Sequence, residues 1–270
     1  MIGNVCKVWI GFAKNSQVRQ NAASGGIITG SLLGLLRQNK IDGTVVTIPD
    51  FPHGGKSIFA RKEKDLIQSA GSIYCVTSLK HGLKLAKESD TKSFAVVGLP
   101  CQIAKLESNK HLYATFGIMC GHNILPEATF KALRDSDIEV KNVNEVIYRA
   151  VGWFPYGLQI LMKNGDVKNI PYDGSQFQKV WESKKYQPPK CLKCTDFAAE
   201  KADIACCDAW LEEYRGNPKG ISIVLAHTQH GVSVIEHLIK TKILDLFESD
   251  ESVLYRANMK QIEYKKRMRL

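Results

Sequence analysis

The sequence contains no stretch approaching the roughly 18 uninterrupted apolar residues of a membrane span, so no transmembrane helix is expected. Its first residues, Met1-Ile2-Gly3-Asn4-Val5, lack a basic segment followed by a long apolar run, and no secretory signal is expected. Zinc-finger spacing, an RNA-binding signature and an aromatic-plus-basic stripe are all missing, which argues against nucleic-acid binding. There is no G-x-G-x-x-G fingerprint, no internal repeat and no low-complexity segment. Eight cysteines without a signal disfavour a disulfide framework and point to reduced thiols or metal ligands in a cytoplasmic protein.

What is present suits a sizeable core: 270 residues, 44% of them apolar. The formal charge of +10 suits an anionic small molecule or an acidic partner subunit. Much of the local positive density lies in a helical tail (Arg256, Lys260, Lys265, Lys266, Arg267 and Arg269), which reads as a solvated helix face.

Hydrophobic patterning alternates between strand and helix. Strands are expected over residues 5–13, 44–48, 94–97 and 112–119, and helices over 27–38, 61–70, 78–88 and 127–133. After about residue 140 short strands follow, over 143–149, 158–163, 167–171 and 221–226, with a helix over 232–239. The fold class is α/β: a mixed sheet flanked by helices, with a smaller cysteine-containing region and a C-terminal helical tail. The expected organisation is an α/β region over 1–140, an α+β region over 141–250 and the basic helical tail over 251–270.

Chemistry concentrates at a few places. Ser24-Gly25-Gly26 precedes a helix, and its unshielded backbone amides suit a phosphate or pyrophosphate, with Thr29 one turn further on. The simpler alternative is a helix cap made by Ser24 or Asn21. Gly71-Ser72 is a second small-residue turn, able either to approach a cofactor or merely to turn. Cys101, in Gly98-Leu99-Pro100-Cys101, leaves a buried strand at the start of a helix, where a thiol is expected to be acidified. Cys120 leaves the next strand in the same way. Cys191-Leu192-Lys193-Cys194, taken alone, is a zinc half-site, a redox dithiol or a cluster half-site. One four-thiolate iron–sulfur cluster on Cys101, Cys120, Cys191 and Cys194 uses all three contexts. Cys6, Cys75, Cys206 and Cys207 are then expected to be packing residues.

In this order the pieces resemble the beta-subunit family of coenzyme F420-reducing hydrogenases and related dehydrogenases. The matching motifs are Ser24-Gly25-Gly26-x-x-Thr29, Ile41-Asp42-Gly43, Ala70-Gly71-Ser72-x-Tyr74, Gly98-Leu99-Pro100-Cys101-Gln102, Gly117-x-x-Cys120, Gly152-Trp153, Cys191-x-x-Cys194-x-Asp196-Phe197 and Ala202-Asp203-Ile204. Gly220-Ile221-Ser222 is similar to the family's late strand. The resemblance implies FAD held by Ser24, Gly25, Gly26 and Thr29, with Gly71 and Ser72, and a [4Fe-4S] cluster on Cys101, Cys120, Cys191 and Cys194. It implies electron exchange with a partner subunit or ferredoxin, and hydride transfer between FAD and coenzyme F420 as substrate. No catalytic acid or base is indicated. With only Cys6 ahead of Ser24, a second cluster is not expected. Cys207 replaces the glycine of the family's Gly-Asp-x-Trp, which leaves a redox role open for it. The alternatives are a ferredoxin-dependent reductase of another organic substrate on the same cofactors, and a non-catalytic zinc-stabilised protein that binds a partner through its basic tail.

Overall fold

The computed structural model describes residues 2–150 and 152–267; Met1 and the tail's Arg269 lie outside these. The strands are β1 (Lys7–Ala13), β2 (Gly43–Pro49), β3 (Gly55–Ala60), β4 (Phe94–Gly98), β5 (Leu112–Ile118), β6 (Val143–Ala150), β7 (Gly157–Met162), β8 (Val167–Pro171), β9 (Ile204–Asp208), β10 (Ser222–Ala226) and β11 (Leu244–Ser249). The helices are α1 (Ser16–Asn21), α2 (Ile27–Arg37), α3 (Glu63–Gln68), α4 (Lys80–Glu88), α5 (Pro100–Ile103), α6 (Pro126–Arg134), α7 (Gln176–Ser183), α8 (Gln229–Lys240) and α9 (Ser252–Arg267). Among the described residues, no helix is long and apolar enough to cross a membrane.

The expected mixed α/β architecture is present. An eight-stranded sheet runs β11-β1-β10-β9-β5-β4-β2-β3. Its centre, β9-β5-β4-β2, is parallel, and antiparallel strands extend it on both sides. The parallel strands are short and apolar because helices and loops cover both faces, as in β4, where Phe94, Ala95 and Val96 are all buried. A separate three-stranded antiparallel sheet, β6-β7-β8, packs with α6 and α7 around Ile124, Ile160 and Phe177. The large sheet takes β9, β10 and β11 from beyond residue 140, so only the small sheet and α7 stand apart from it.

The two faces of the large sheet carry two cores. One collects Phe94, Trp153, Ala199, Leu225 and Leu254; the other collects Trp9, Leu32, Phe116 and Leu238. Successive residues of a strand point to opposite faces, and β9 shows it: Cys206 belongs to the second core and Cys207 packs against the first. Asp203 clamps β9 to β5, its carboxylate accepting from the Thr115 amide at 2.9 Å and hydroxyl at 2.8 Å.

The tail differs from a simple solvated face. Val253, Leu254, Asn258, Ile262 and Lys265 of α9 are buried, while Arg256, Lys260, Lys266 and Arg267 face solvent. The helix kinks at Asn258, whose side-chain amide donates to the Asp208 carbonyl at 3.4 Å and to Cys207 Sγ at 3.5 Å.

Candidate functional site

β4 and β5 are parallel neighbours, with Gly98 opposite Gly117, so the chain leaves both at the same end. Cys101 follows β4 in the single turn of α5, and Cys120 lies just beyond β5, its amide donating to the Phe197 carbonyl at 2.9 Å. A 3-10 turn at Pro189–Lys193 carries Cys191, and the Cys194 amide donates to the Cys191 carbonyl at 3.3 Å. All four cysteines line one cavity of about 20 Å³, together with Lys190, Lys265, Gln102 and Asn123. Segments some 90 residues apart in sequence thus converge on one small space.

Among the described residues no carboxylate or imidazole lines that cavity, and a set of four thiols is the donor chemistry of an iron–sulfur centre or of zinc. Among the described residues, no three His, Cys, Asp or Glu side chains are already arranged around one metal position. The donor set therefore fits a cluster in chemistry. Burial pushes the Cys120 thiol up to about 12, with the Lys265 ammonium opposing. Burial also raises Cys101, against the pull of Lys190 and Lys265. The expected acidification of Cys101 is overturned, because α5 is only one turn long and desolvation outweighs it.

A cleft of about 660 Å³, the size of a cofactor or ligand site, opens beside the cavity. Thr77, Leu99, Gln102, Cys120 and Asn123 line both spaces, so a single layer of residues separates them. Gln102 stiffens this wall: its carbonyl accepts from the Leu99 amide at 2.8 Å and its amide donates to the Thr77 carbonyl at 3.0 Å. The remaining cleft walls come from the first turn of α2, the Gly71-Ser72 turn, aromatic side chains including Tyr156, Trp181 and Trp210, and α9.

Arg149 is buried in the cleft wall. Its terminal nitrogens donate to both Asp208 oxygens at 3.0 and 2.9 Å, to the Tyr74 hydroxyl at 3.3 Å and to the Ala23 carbonyl at 2.6 Å. Its Nε has no hydrogen-bond partner among the described residues. The guanidinium lies 4.3 Å from the Tyr156 ring centre and 4.8 Å from that of Trp210. Burial opposes its charge, but Asp208 and Tyr74 hold it firmly protonated. His122 faces Trp181 with ring centres 4.1 Å apart, and its buried Nε2 likewise has no partner among the described residues. Burial and the nearby Lys184 charge depress it to about 4, leaving a neutral imidazole at pH 7.

The sequence-derived residues divide into two groups. Thr29, Gly71 and Ser72 line the cleft. Ser24, Gly25 and Gly26 do not: Ser24 Oγ donates to the Ile221 carbonyl at 2.8 Å and the Gly25 amide to Ser222 Oγ at 2.9 Å. A Cβ on Gly25 would come within 2.6 Å of the Gly11 carbonyl oxygen, so this glycine serves the close approach of the chain to β1 and β10. The side-chain cap offered as the simpler alternative is also absent, since the residue before α2 is Gly26, at φ 75°, with no side-chain cap. Arg149, Tyr156 and Trp181 escaped the sequence analysis, and Lys265 reads there as part of a solvated face. The family motifs supply signals near them in Tyr74, Trp153, Asp208 and Trp210, and Trp153 Nε1 donates to Asp208 at 2.8 Å.

Fold and site together define an α/β protein with a ligand-sized cleft at the ends of its parallel strands, backed by a four-thiol cavity. The chain belongs to the coenzyme F420 hydrogenase/dehydrogenase beta-subunit family: residues 8–84 match its N-terminal part and residues 91–252 its C-terminal part. It is accordingly an oxidoreductase-type subunit, as its ordered motifs indicate. The coenzyme F420 hydrogenase subunit beta of Methanococcus voltae is 23% identical over 251 residues, covering 88% of this chain and 83% of the relative. The coenzyme F420-dependent sulfite reductase of Methanocaldococcus jannaschii is 27% identical over 223 residues, which is 78% of this chain but 34% of that enzyme. A chain of the F420-reducing [NiFe] hydrogenase complex of Methanosarcina barkeri shares the fold, with a TM-score of 0.74 at 18% identity, over 98% of this chain and 91% of that one.

Proposed function

We propose that this chain is a cytoplasmic flavin and iron–sulfur oxidoreductase subunit that passes electrons between a partner subunit or ferredoxin and coenzyme F420. The observation that carries the reading is the convergence of Cys101, Cys120, Cys191 and Cys194 on one cavity that shares a wall with the large cleft. Cys101, Cys120, Cys191 and Cys194 would hold a [4Fe-4S] cluster. Thr29, Gly71 and Ser72 would hold FAD; the first turn of α2, free of a side-chain cap, offers amides to its phosphates. Ser24, Gly25 and Gly26 serve this site by fixing where α2 begins.

When bound, a flavin supplies hydride chemistry toward an organic acceptor and single-electron exchange toward a cluster. The residues provide the rest. Gln102, tied to Leu99 and Thr77, keeps the wall between the two spaces thin and rigid. Arg149 and the neutral His122 offer buried polar groups to a ligand, and the surrounding aromatic rings exclude water. The relatives' names supply the coenzyme, and the net charge of +10 suits an anionic one.

Anaerobic mixing with reduced coenzyme F420 tests the assignment. Loss of the flavin absorbance is expected. An unchanged flavin spectrum, in protein shown to contain flavin, contradicts the coenzyme and leaves another organic acceptor to be sought.

A further inference from the structure

Lys265 is an anomaly among the basic residues of α9. Its relative exposure is 3%, whereas Arg256, Lys260, Lys266 and Arg267 on the same helix are exposed. It lines the cavity with all four thiols. Taking an ammonium out of water costs several kcal/mol unless negative charge or hydrogen bonds compensate it. Among the described residues no carboxylate lines the cavity; the thiols are the groups there able to carry negative charge. The helix holds Lys265 in place through buried Leu254 and Ile262, through Asn258 on Asp208, and through Tyr264, whose hydroxyl donates to Gln187 at 2.8 Å.

Resting on the cluster reading above, we propose that Lys265 is the buried countercharge of the four-thiol site and sets the reduction potential of the cluster held there. A [4Fe-4S] centre on four thiolates is a net anion, and one-electron reduction adds one further negative charge to the cavity. A fixed ammonium beside it favours the reduced form and raises the potential, net charge being one of the protein's levers on such centres. Lys190 also lines the cavity, but it is exposed, so water and salt screen it. The two lysines therefore differ in weight: the one on the C-terminal helix dominates. The same geometry makes α9 a wall of the redox site, with only its outer face left for a partner.

The test is an anaerobic dithionite titration of the whole chain, followed by cluster absorbance and paramagnetic resonance, after iron and sulfide have been counted. Lys265→Gln is expected to lower the midpoint by at least a tenfold change in the redox equilibrium, about 59 mV for one electron. Lys265→Arg should stay near the unsubstituted protein, and Lys190→Gln should move less than Lys265→Gln. A Lys265→Gln midpoint equal to that of the unsubstituted protein, at equal iron content, overturns the inference. Absence of iron from the unsubstituted protein would instead be the failure of the cluster reading itself. Should Lys265→Gln lose iron, Lys265→Met and Lys265→Arg decide: loss in Met with retention in Arg is a requirement for charge and supports the proposal. Loss in both is a packing defect and overturns it.

Discussion

Arg149 holds Asp208 with both terminal nitrogens, at 3.0 and 2.9 Å, across a gap of 59 residues in sequence. The pair ties the end of β6, in the small sheet, to the end of β9, in the large one. It therefore fixes the small sheet against the cleft it helps to wall.

Removing one partner of a buried pair leaves an uncompensated charge, at a cost of about 3–5 kcal/mol. The two removals should not be equal. The Arg149 side chain is 3% exposed and that of Asp208 is 19% exposed, so an orphaned carboxylate can recruit water and an orphaned guanidinium cannot. Urea denaturation is expected to show a larger loss for Asp208→Asn than for Arg149→Met. Equal losses would mean that the pair contributes through packing alone.

Gly117 sits on β5, and a Cβ there would lie 2.3 Å from Ala199 Cβ. The adjoining Phe197 carbonyl accepts the Cys120 amide at 2.9 Å, so a displaced loop moves a cavity cysteine. Gly117→Ala should cost about 1–3 kcal/mol through overpacking. It should also reduce iron content. Gly71, at φ +96° with no atom within 4 Å of an added Cβ, makes the contrast. Gly71→Ala carries about 1–2 kcal/mol of backbone strain, and it should leave iron unchanged while lowering flavin content. If both variants lose iron and flavin together, the two spaces are not separately built.

Cys206, in the core on the face of the sheet opposite Cys207, supplies a pH dependence of its own. Burial pushes its thiol from an ordinary value of 9.0 up to about 12. The unfolded chain releases this proton from about pH 9, whereas the folded chain retains it. Between those values the unfolded state binds fewer protons, so stability falls as pH rises. At pH 10.5 the loss should be about 2 kcal/mol relative to pH 8. Cys206→Ala, less stable at both pH values because of its cavity, should show a flatter alkaline limb by about that amount. Parallel limbs for the two proteins would contradict the assignment.

The sequence reveals most of the central sheet because β4 is a continuous apolar run and β5 is largely apolar, and it reveals α2 because its helical face is broad. It does not reveal β3 and β11, edge strands whose half-exposed, polar residues carry little hydrophobic pattern. The short β9 is hidden for another reason: Ile-Ala-Cys-Cys-Asp carries too few large apolar residues to stand out. Thiol residues at strand ends and in Cys-x-x-Cys are chemically distinctive, so the cavity can be anticipated. The convergence of Lys265 on it cannot, because a lysine in a basic helix reads as solvated until its packing is known. Ser24-Gly25-Gly26 misleads for a similar reason: glycine-rich backbone serves close packing as well as phosphate binding, and here Gly11 and Ser222 take it up.

The central claim is that the four thiols hold a cluster next to a flavin. Iron, acid-labile sulfide, zinc and flavin should be counted on protein purified without oxygen, alongside its visible spectrum. The account predicts about four irons, four sulfides and one FAD per chain, with the iron lost in Cys120→Ser. Stoichiometric zinc with neither iron nor flavin would contradict it.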